Sequence, residues 1–317
     1  MTGTVSRRAL LAGAAGAMLA GRAHAQGAWP TSEIRFFIPA SPGGSTDLAA
    51  RLLKQFVDRD LGATLVPVNQ TGGGGTVATE SVITARPDGG TLLIHHALLH
   101  TTNLFGRSPR TFRDLSPIAT ISEVNNVLVA RGDAAFRTLA ELQRALAGGG
   151  RMRLASQLGG TTQVMGQAVA RWAGGNLRVV DAGPEADRVA SILGRQVELA
   201  LLTPSTAKQY HQAGELRVLA LFNRNPDPLV PDWPTAASQG LNVHFPLVFT
   251  VYAPPAMPDA LRQRLGASIG RAVREADFAA GLTRIQQAPS YRDEAATRAY
   301  LEQEFAFVAE MVRAGAG

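Results

Sequence analysis

Three stretches of the chain join an apolar run to a helix-like pattern through glycine: Pro42-Gly43-Gly44-Ser45-Thr46-Asp47, Gly72-Gly73-Gly74-Gly75-Thr76 and Gly159-Gly160-Thr161-Thr162. Glycine lets an anion approach the backbone closely. The start of a helix adds N–H groups without carbonyl partners and a partial positive charge. In parallel α/β sheets, ligands collect beyond the carboxyl ends of strands, so three such turns converge on one crevice. The chemistry this allows is the holding of an anion by main-chain amides. For any single loop, the plainer reading that glycine merely makes a tight turn stays open. Asp47 sits in the first turn of its helix, where it either neutralises the helix start or faces the ligand.

Other chemistries find less support. Neither lysine, Lys54 or Lys208, stands in a G-x-x-x-x-G-K context, and no G-x-G-x-x-G follows a strand. No nucleotide cofactor is therefore expected. His95, His96 and His100 lie close in sequence, yet neighbours on a strand point to opposite faces, so His95 and His96 do not readily share a metal ion. We expect no metal, and one histidine, His96, lining the crevice. There is no G-x-S-x-G, since Gly43-Gly44-Ser45-Thr46-Asp47 is out of frame for it. The absence of cysteine excludes thiol catalysis and disulfides. Trp29, Trp172 and Trp233 read as packing residues.

The elements that must position these loops alternate. Residues 34–38 (IRFFI) form a strand, and Leu48, Leu52, Leu53, Phe56 and Val57 recur at helical spacing behind Ser45 or Thr46 as N-cap. A second strand over 64–68, the loop at 69–75, a helix from 76 and a strand at 91–95 follow. The pattern restarts with a strand at 126–130 and a helix opened by Thr138-Leu139-Ala140-Glu141, which has capping-box spacing. Strands at 152–156, 177–180, 197–202 and 216–222 then alternate with helices at 162–173, 184–193 and 204–212. A strand over 243–253 leads back to the first half, and helices fill the C-terminus. This alternation predicts an α/β protein with mainly parallel sheets flanked by helices.

The chain has 317 residues, 45% hydrophobic and 18% charged, long enough for two lobes with separate cores. Its first 25 residues carry Arg7 and Arg8, an apolar stretch from Ala9 to Ala20, and Ala23-His24-Ala25. That is the pattern of an export signal cleaved after Ala25, and Ser6-Arg7-Arg8-Ala9-Leu10 suggests the twin-arginine route, with an ordinary secretory signal carrying a chance arginine pair as the alternative. Loss of this segment removes three arginines and no acid, lowering the formal charge from +6 to +3. Such a weak, scattered positive charge gives no case for nucleic acid.

Together the motifs resemble the Bug family, the solute-binding receptors of tripartite tricarboxylate transporters. Trp29-Pro30, Pro42 to Asp47, residues 69–75 and Pro87-Asp88-Gly89-Gly90-Thr91-Leu92-Leu93 carry the resemblance through the first half. Thr138 to Leu142, Gly214 to Ala220 and Pro231-Asp232-Trp233-Pro234-Thr235 continue it. The resemblance implies a two-lobed, Venus-flytrap periplasmic-binding-protein fold of type II kind, acting as a monomer. Residues 26–124 with 248–317 would form one lobe and 125–247 the other, with crossings near Val124 and Val248.

It also implies a periplasmic receptor, not an enzyme, that captures a small organic carboxylate for membrane transport subunits. A sensory receptor with the same pocket, or less readily an enzyme on the fold, are the alternatives. The expected ligand contacts are Ser41, Pro42, Gly43, Gly44, Ser45, Thr46 and Asp47, then Gly74, Gly75, Thr76 and His96. The second lobe adds Ser156, Gly160, Thr161, Thr162 and Gly183. That lobe departs from the family pattern. Asp181-Ala182-Gly183-Pro184 replaces a tyrosine, a basic residue and paired glycines, Ser191 replaces an aspartate, and Gln163 a histidine.

Overall fold

The computed structural model describes residues 29–315 apart from residues 31, 175, 224, 228 and 229. The expected export signal and its boundary at Ala25 lie outside the described residues. The chain runs β1 (Glu33–Ile38), α1 (Ser45–Leu61), β2 (Thr64–Asn69), a 3-10 turn (Gly72–Gly75), α2 (Thr76–Ile83), β3 (Thr91–His95), α3 (Leu98–Leu104) and β4 (Ser116–Val124). Then follow β5 (Val127–Arg131), α4 (Leu139–Ala147), β6 (Met152–Ser156), α5 (Thr161–Ala173), β7 (Leu177–Asp181), α6 (Glu185–Leu193), β8 (Leu199–Leu202), α7 (Pro204–Gln212) and β9 (Leu216–Leu221). β10 (Leu247–Ala253), α8 (Asp259–Ala272), α9 (Ala276–Arg284), β11 (Ala288–Arg292) and α10 (Glu294–Gly315) complete it.

Two sheets result, ordered β11-β4-β10-β3-β1-β2 and β7-β6-β8-β5-β9. Each is the centre of one lobe. Side-chain alternation along a strand sends Ile34, Phe36 and Ile38 into a core with α1, α8 and α9, and Phe37 into another with α2 and α3. In the second sheet Leu128 and Ala130 meet α4 and α5, while Val127 and Val129 meet α6 and α7. Burial on both faces is why these strands read as unbroken apolar runs.

The expectation of mainly parallel sheets needs correction, because both are mixed. β1 is parallel to β2 and β3, and β6 to β7 and β8, whereas β10 is antiparallel to β3 and β4, β11 to β4, and β5 to β8 and β9. β4 leaves the first lobe and β10 returns to it, so lying side by side they must run in opposite directions. The six strands that stay parallel are those whose carboxyl ends open into the loops with functional promise.

Local rules explain most boundaries. Thr138 caps α4 by accepting from the Glu141 N–H at 3.2 Å, but Glu141 Oε2 accepts from Arg137 N–H and not from Thr138, so the reciprocal half of the box is displaced by one residue. β4 and β11 were not foreseen, and residues 243–246 precede β10 without joining it. Trp233 is buried in a core, Trp172 donates to Gly240 O, and Trp29 packs beside the first lobe's core. The last helix belongs to neither lobe alone. Leu301 of α10 is buried with the first lobe, Val308 with the second, and Arg171 Nη1 donates to Ala314 O at 3.0 Å.

Phe278 is fully buried and meets Phe56 edge to face at 5.4 Å between centroids, joining α9 to α1. Phe278→Ala is expected to cost about 3–5 kcal/mol, measurable by urea unfolding. A loss below about 1 kcal/mol contradicts this packing.

Candidate functional site

A cleft of about 390 Å³ lies between the lobes. Besides Asn126 in the β4–β5 crossing and Leu247 and Phe249 of β10, its walls come from beyond the carboxyl ends of the six parallel strands: residues 39–46 after β1, Thr71 and Gly74 after β2, and His96 and Leu98 after β3. The second lobe contributes Gln157, Thr161 and Thr162 after β6, Pro184 to Ala186 after β7, and Thr203 and Thr206 after β8. Besides α3, whose first N–H, that of Leu98, is taken by His96 Nδ1, four helices, α1, α5, α6 and α7, begin at this cleft. None of the four has a side-chain cap. The expected N-cap at Ser45 or Thr46 is corrected: Gly44 occupies that position, without a side chain to accept from the helix start.

The first loop shows which amides remain free. Gly43, at φ +80°, donates to Asp47 Oδ2 at 2.8 Å, and Gly44 donates to Ser41 O at 3.0 Å. Ser45 and Thr46, the first residues of α1, precede any possible i−4 carbonyl partner in the helix. Their N–H groups are therefore the donors this loop can offer.

Asp47 stands behind the loop, almost wholly buried, and is not part of the cleft wall. Its oxygens receive Arg51 Nε at 2.9 and 2.8 Å and Asn69 Nδ2 at 2.9 Å, while Asn69 also donates to Ala40 O. Burial would raise the Asp47 pKa, but the hydrogen bonds from Arg51, Gly43 and Asn69 and the guanidinium charge outweigh it, leaving it below the ordinary value. The carboxylate braces the loop.

The second loop brings Gly74 to the cleft, while Gly75 and Thr76 stand beside it. At Gly75, φ +90°, an added Cβ would fall 2.8 Å from His95 Nε2 and 2.9 Å from Pro39 Cβ, so only glycine fits. The three histidines diverge. His95 is buried with Nε2 unpaired, His96 lines the cleft against Phe249, and His100 pairs with buried Glu304 at 3.0 Å. Burial, with the neighbouring His100, lowers the His96 pKa to about 4, so it is neutral at physiological pH. Among the described residues no group of three His, Cys, Asp or Glu could hold a metal ion.

In the second lobe Thr161 and Thr162 line the cleft, and Gly160 caps their helix from behind. Thr162 Oγ1 accepts from Gln157 N–H and Gln163 Oε1 from Gly159 N–H, fixing this turn. Ser156 is buried, donating to Val180 O, and Gly183 lies off the wall with its carbonyl accepting from Arg188. The lobes approach closely here. A Cβ on Gly74 would come within 3.8 Å of Gln157 Nε2, and one on Gly159 would collide with Arg107.

Sequence reasoning missed Asn126, Gln157, Glu185, Gln209, Tyr210 and Arg188, all on the wall. Arg188 is 5% exposed, and its Nε and Nη1 donate to Leu201 O and Gly183 O at 2.9 and 3.0 Å. A signal existed for it: Arg188 lies four residues before buried Ile192, hence on the apolar face of α6.

Asp47→Asn is expected to cost about 1–3 kcal/mol near neutral pH. Because the folded carboxyl titrates below its ordinary 3.8, its contribution is present above that pH and is lost as pH falls through the lower folded value. Urea unfolding of wild type and variant at about pH 7 and about pH 3 should show the gap narrowing in acid. A constant gap contradicts the brace.

Residues 49–314 match the model of the tripartite tricarboxylate transporter family receptor. BugT of Bordetella pertussis is 26% identical over 298 residues, 90% of each chain. Among solved structures, R. palustris Rpa4515 with adipate superposes at TM-score 0.84 and 24% identity, covering 91% of this chain and 98% of its own. MatC from Rhodopseudomonas palustris with bound malate gives 0.81 and 23%, covering 90% and 100%. The fold of two helix-flanked sheets is thus shared with these solved structures, and the chain belongs to the tripartite tricarboxylate transporter receptor family.

Proposed function

We propose that this chain is a periplasmic receptor that captures a small organic carboxylate between its lobes and delivers it to the membrane subunits of a tripartite transporter. The observation that carries the reading is the convergence of four uncapped helix starts on a cleft of about 390 Å³. That volume falls at the small end of ligand sites, of about 300–1,000 Å³, and suits a small solute. Amide donors hydrogen-bond a carboxylate strongly because the acceptor is ionised, so hydration can be replaced without a lysine. The relatives solved with malate and adipate support the class of ligand.

The export signal at residues 1–25, with cleavage after Ala25, accounts for the location. Capture proceeds by closure of the lobes about the short β4–β5 connection and the segment before β10. Ser41 to Thr46, Gly74, His96, Thr161 and Thr162 form the contact set, while Asp47, Gly75, Thr76, Ser156, Gly160 and Gly183 hold it in place.

A thermal-shift screen of the chain from Gln26 against small carboxylates tests this. A ligand at 100 times its dissociation constant adds about 2.7 kcal/mol of stability. Gly44 has φ −70° and ψ 161°, open to any residue, and an added Cβ is tight only against Ser41 O at 3.2 Å, a contact relieved by a small shift of the exposed loop, with Ala40 Cβ at an ordinary 3.7 Å. Gly44→Leu should therefore fold, yet bind the best carboxylate at least about tenfold more weakly. Undiminished binding contradicts the role of the first loop.

A further inference from the structure

Arg188 is a cation taken out of water on the second lobe's wall, and the protein itself leaves it incompletely matched. Nε and Nη1 are held by main-chain carbonyls, which orient the guanidinium without neutralising it. Nη2 makes no hydrogen bond among the described residues. The nearest acids do not close the gap. Glu185, also on the wall, spends Oε1 on the Thr203 N–H and hydroxyl, and Asp187 is exposed, so both act on Arg188 only as charges at a distance. A buried guanidinium without a paired carboxylate is costly unless something anionic meets it. Its planar fork suits a carboxylate better than a lysine would.

We propose that Arg188 is the specificity-determining cation of the second lobe: its free Nη2 receives an anionic group at the end of the solute remote from the first loop. The proposal rests on the receptor reading above and deepens it. The first lobe holds one carboxylate with neutral amides. Arg188 then separates solutes that are charged at both ends from those with a neutral far end. The residue lies in the lobe where this chain departs from its family's motif.

Malate, succinate and adipate, each measured by calorimetry against its monoamide, isolate this charge. A charge-assisted hydrogen bond corresponds to about 10- to 100-fold in affinity. Wild type should prefer at least one diacid over its monoamide by that factor, and Arg188→Met should reduce the ratio to within about threefold. A ratio that survives in the variant overturns the proposal, as does binding by wild type without preference for the diacid. If wild type binds none of these compounds nor any simple monocarboxylate, the receptor reading itself fails. Because Arg188→Met also removes two bonds to the backbone, a crystal structure of wild type with the preferred diacid provides a second measure. A carboxylate oxygen within about 3.2 Å of Nη2 supports the assignment, and a ligand that leaves Nη2 to water overturns it.

Discussion

Helix starts always carry unmet N–H groups, and the whole arrangement of this molecule depends on where those groups are left unmet. Four of them open on one cleft with no side-chain cap from their N-cap residue, although at α7 Pro204 brings no N–H and the Thr203 N–H is taken by Glu185 Oε1. Off the cleft wall, α4 is capped by Thr138, while α8 and α9 also lack side-chain caps, so what distinguishes the four is where they open. Keeping donors open requires the loop to hold its shape by other means. At the first loop that means is Asp47, which binds Gly43, Arg51 and Asn69 at once and stays ionised because of them. The acid therefore contributes to anion binding by supporting the amides and keeping its own charge buried behind them.

Two lobes follow from the same constraint. A single parallel sheet presents strand ends along one edge, and closing a cavity around a small solute needs a second edge facing it. The chain supplies that edge by leaving through β4 and returning through β10, and the price is antiparallel pairing where the two meet. α10 adds a third tie, with Leu301 packed in one lobe and Val308 in the other. Relative motion of the lobes must therefore be accommodated along this helix as well as at the crossings.

Much of this was legible in the sequence. The glycine loops were, because a strand, a glycine turn and a helical repeat leave a local signature, and Ser41 to Thr46, Gly74, Thr161 and Thr162 do line the cleft. The separation of the histidines was legible from strand alternation alone, although only the fold shows His100 on Glu304. What was not legible depends on distance along the chain. β4 and β11 pair with strands far away, so nothing local marks their direction. The capping role of Gly44 was hidden because Ser45 and Thr46 are the better caps by type, whereas the loop's own bonds place the helix boundary one residue earlier. Arg188 was missed because an arginine is read as exposed, and only its spacing to Ile192 said otherwise.

The central claim is that main-chain donors at the start of α1 hold the ligand, and one pair of variants isolates them. Ser45 is the first residue of α1, behind Gly44 at ψ 161°, a conformation that accepts a following proline, as α7 accepts Pro204 at its start. Calorimetric titration of the preferred carboxylate should find Ser45→Ala within about threefold of wild type and Ser45→Pro weaker by about tenfold or more, with both variants equally stable. Equal affinity of the two variants would contradict the account, because the proline lacks the N–H on which it depends.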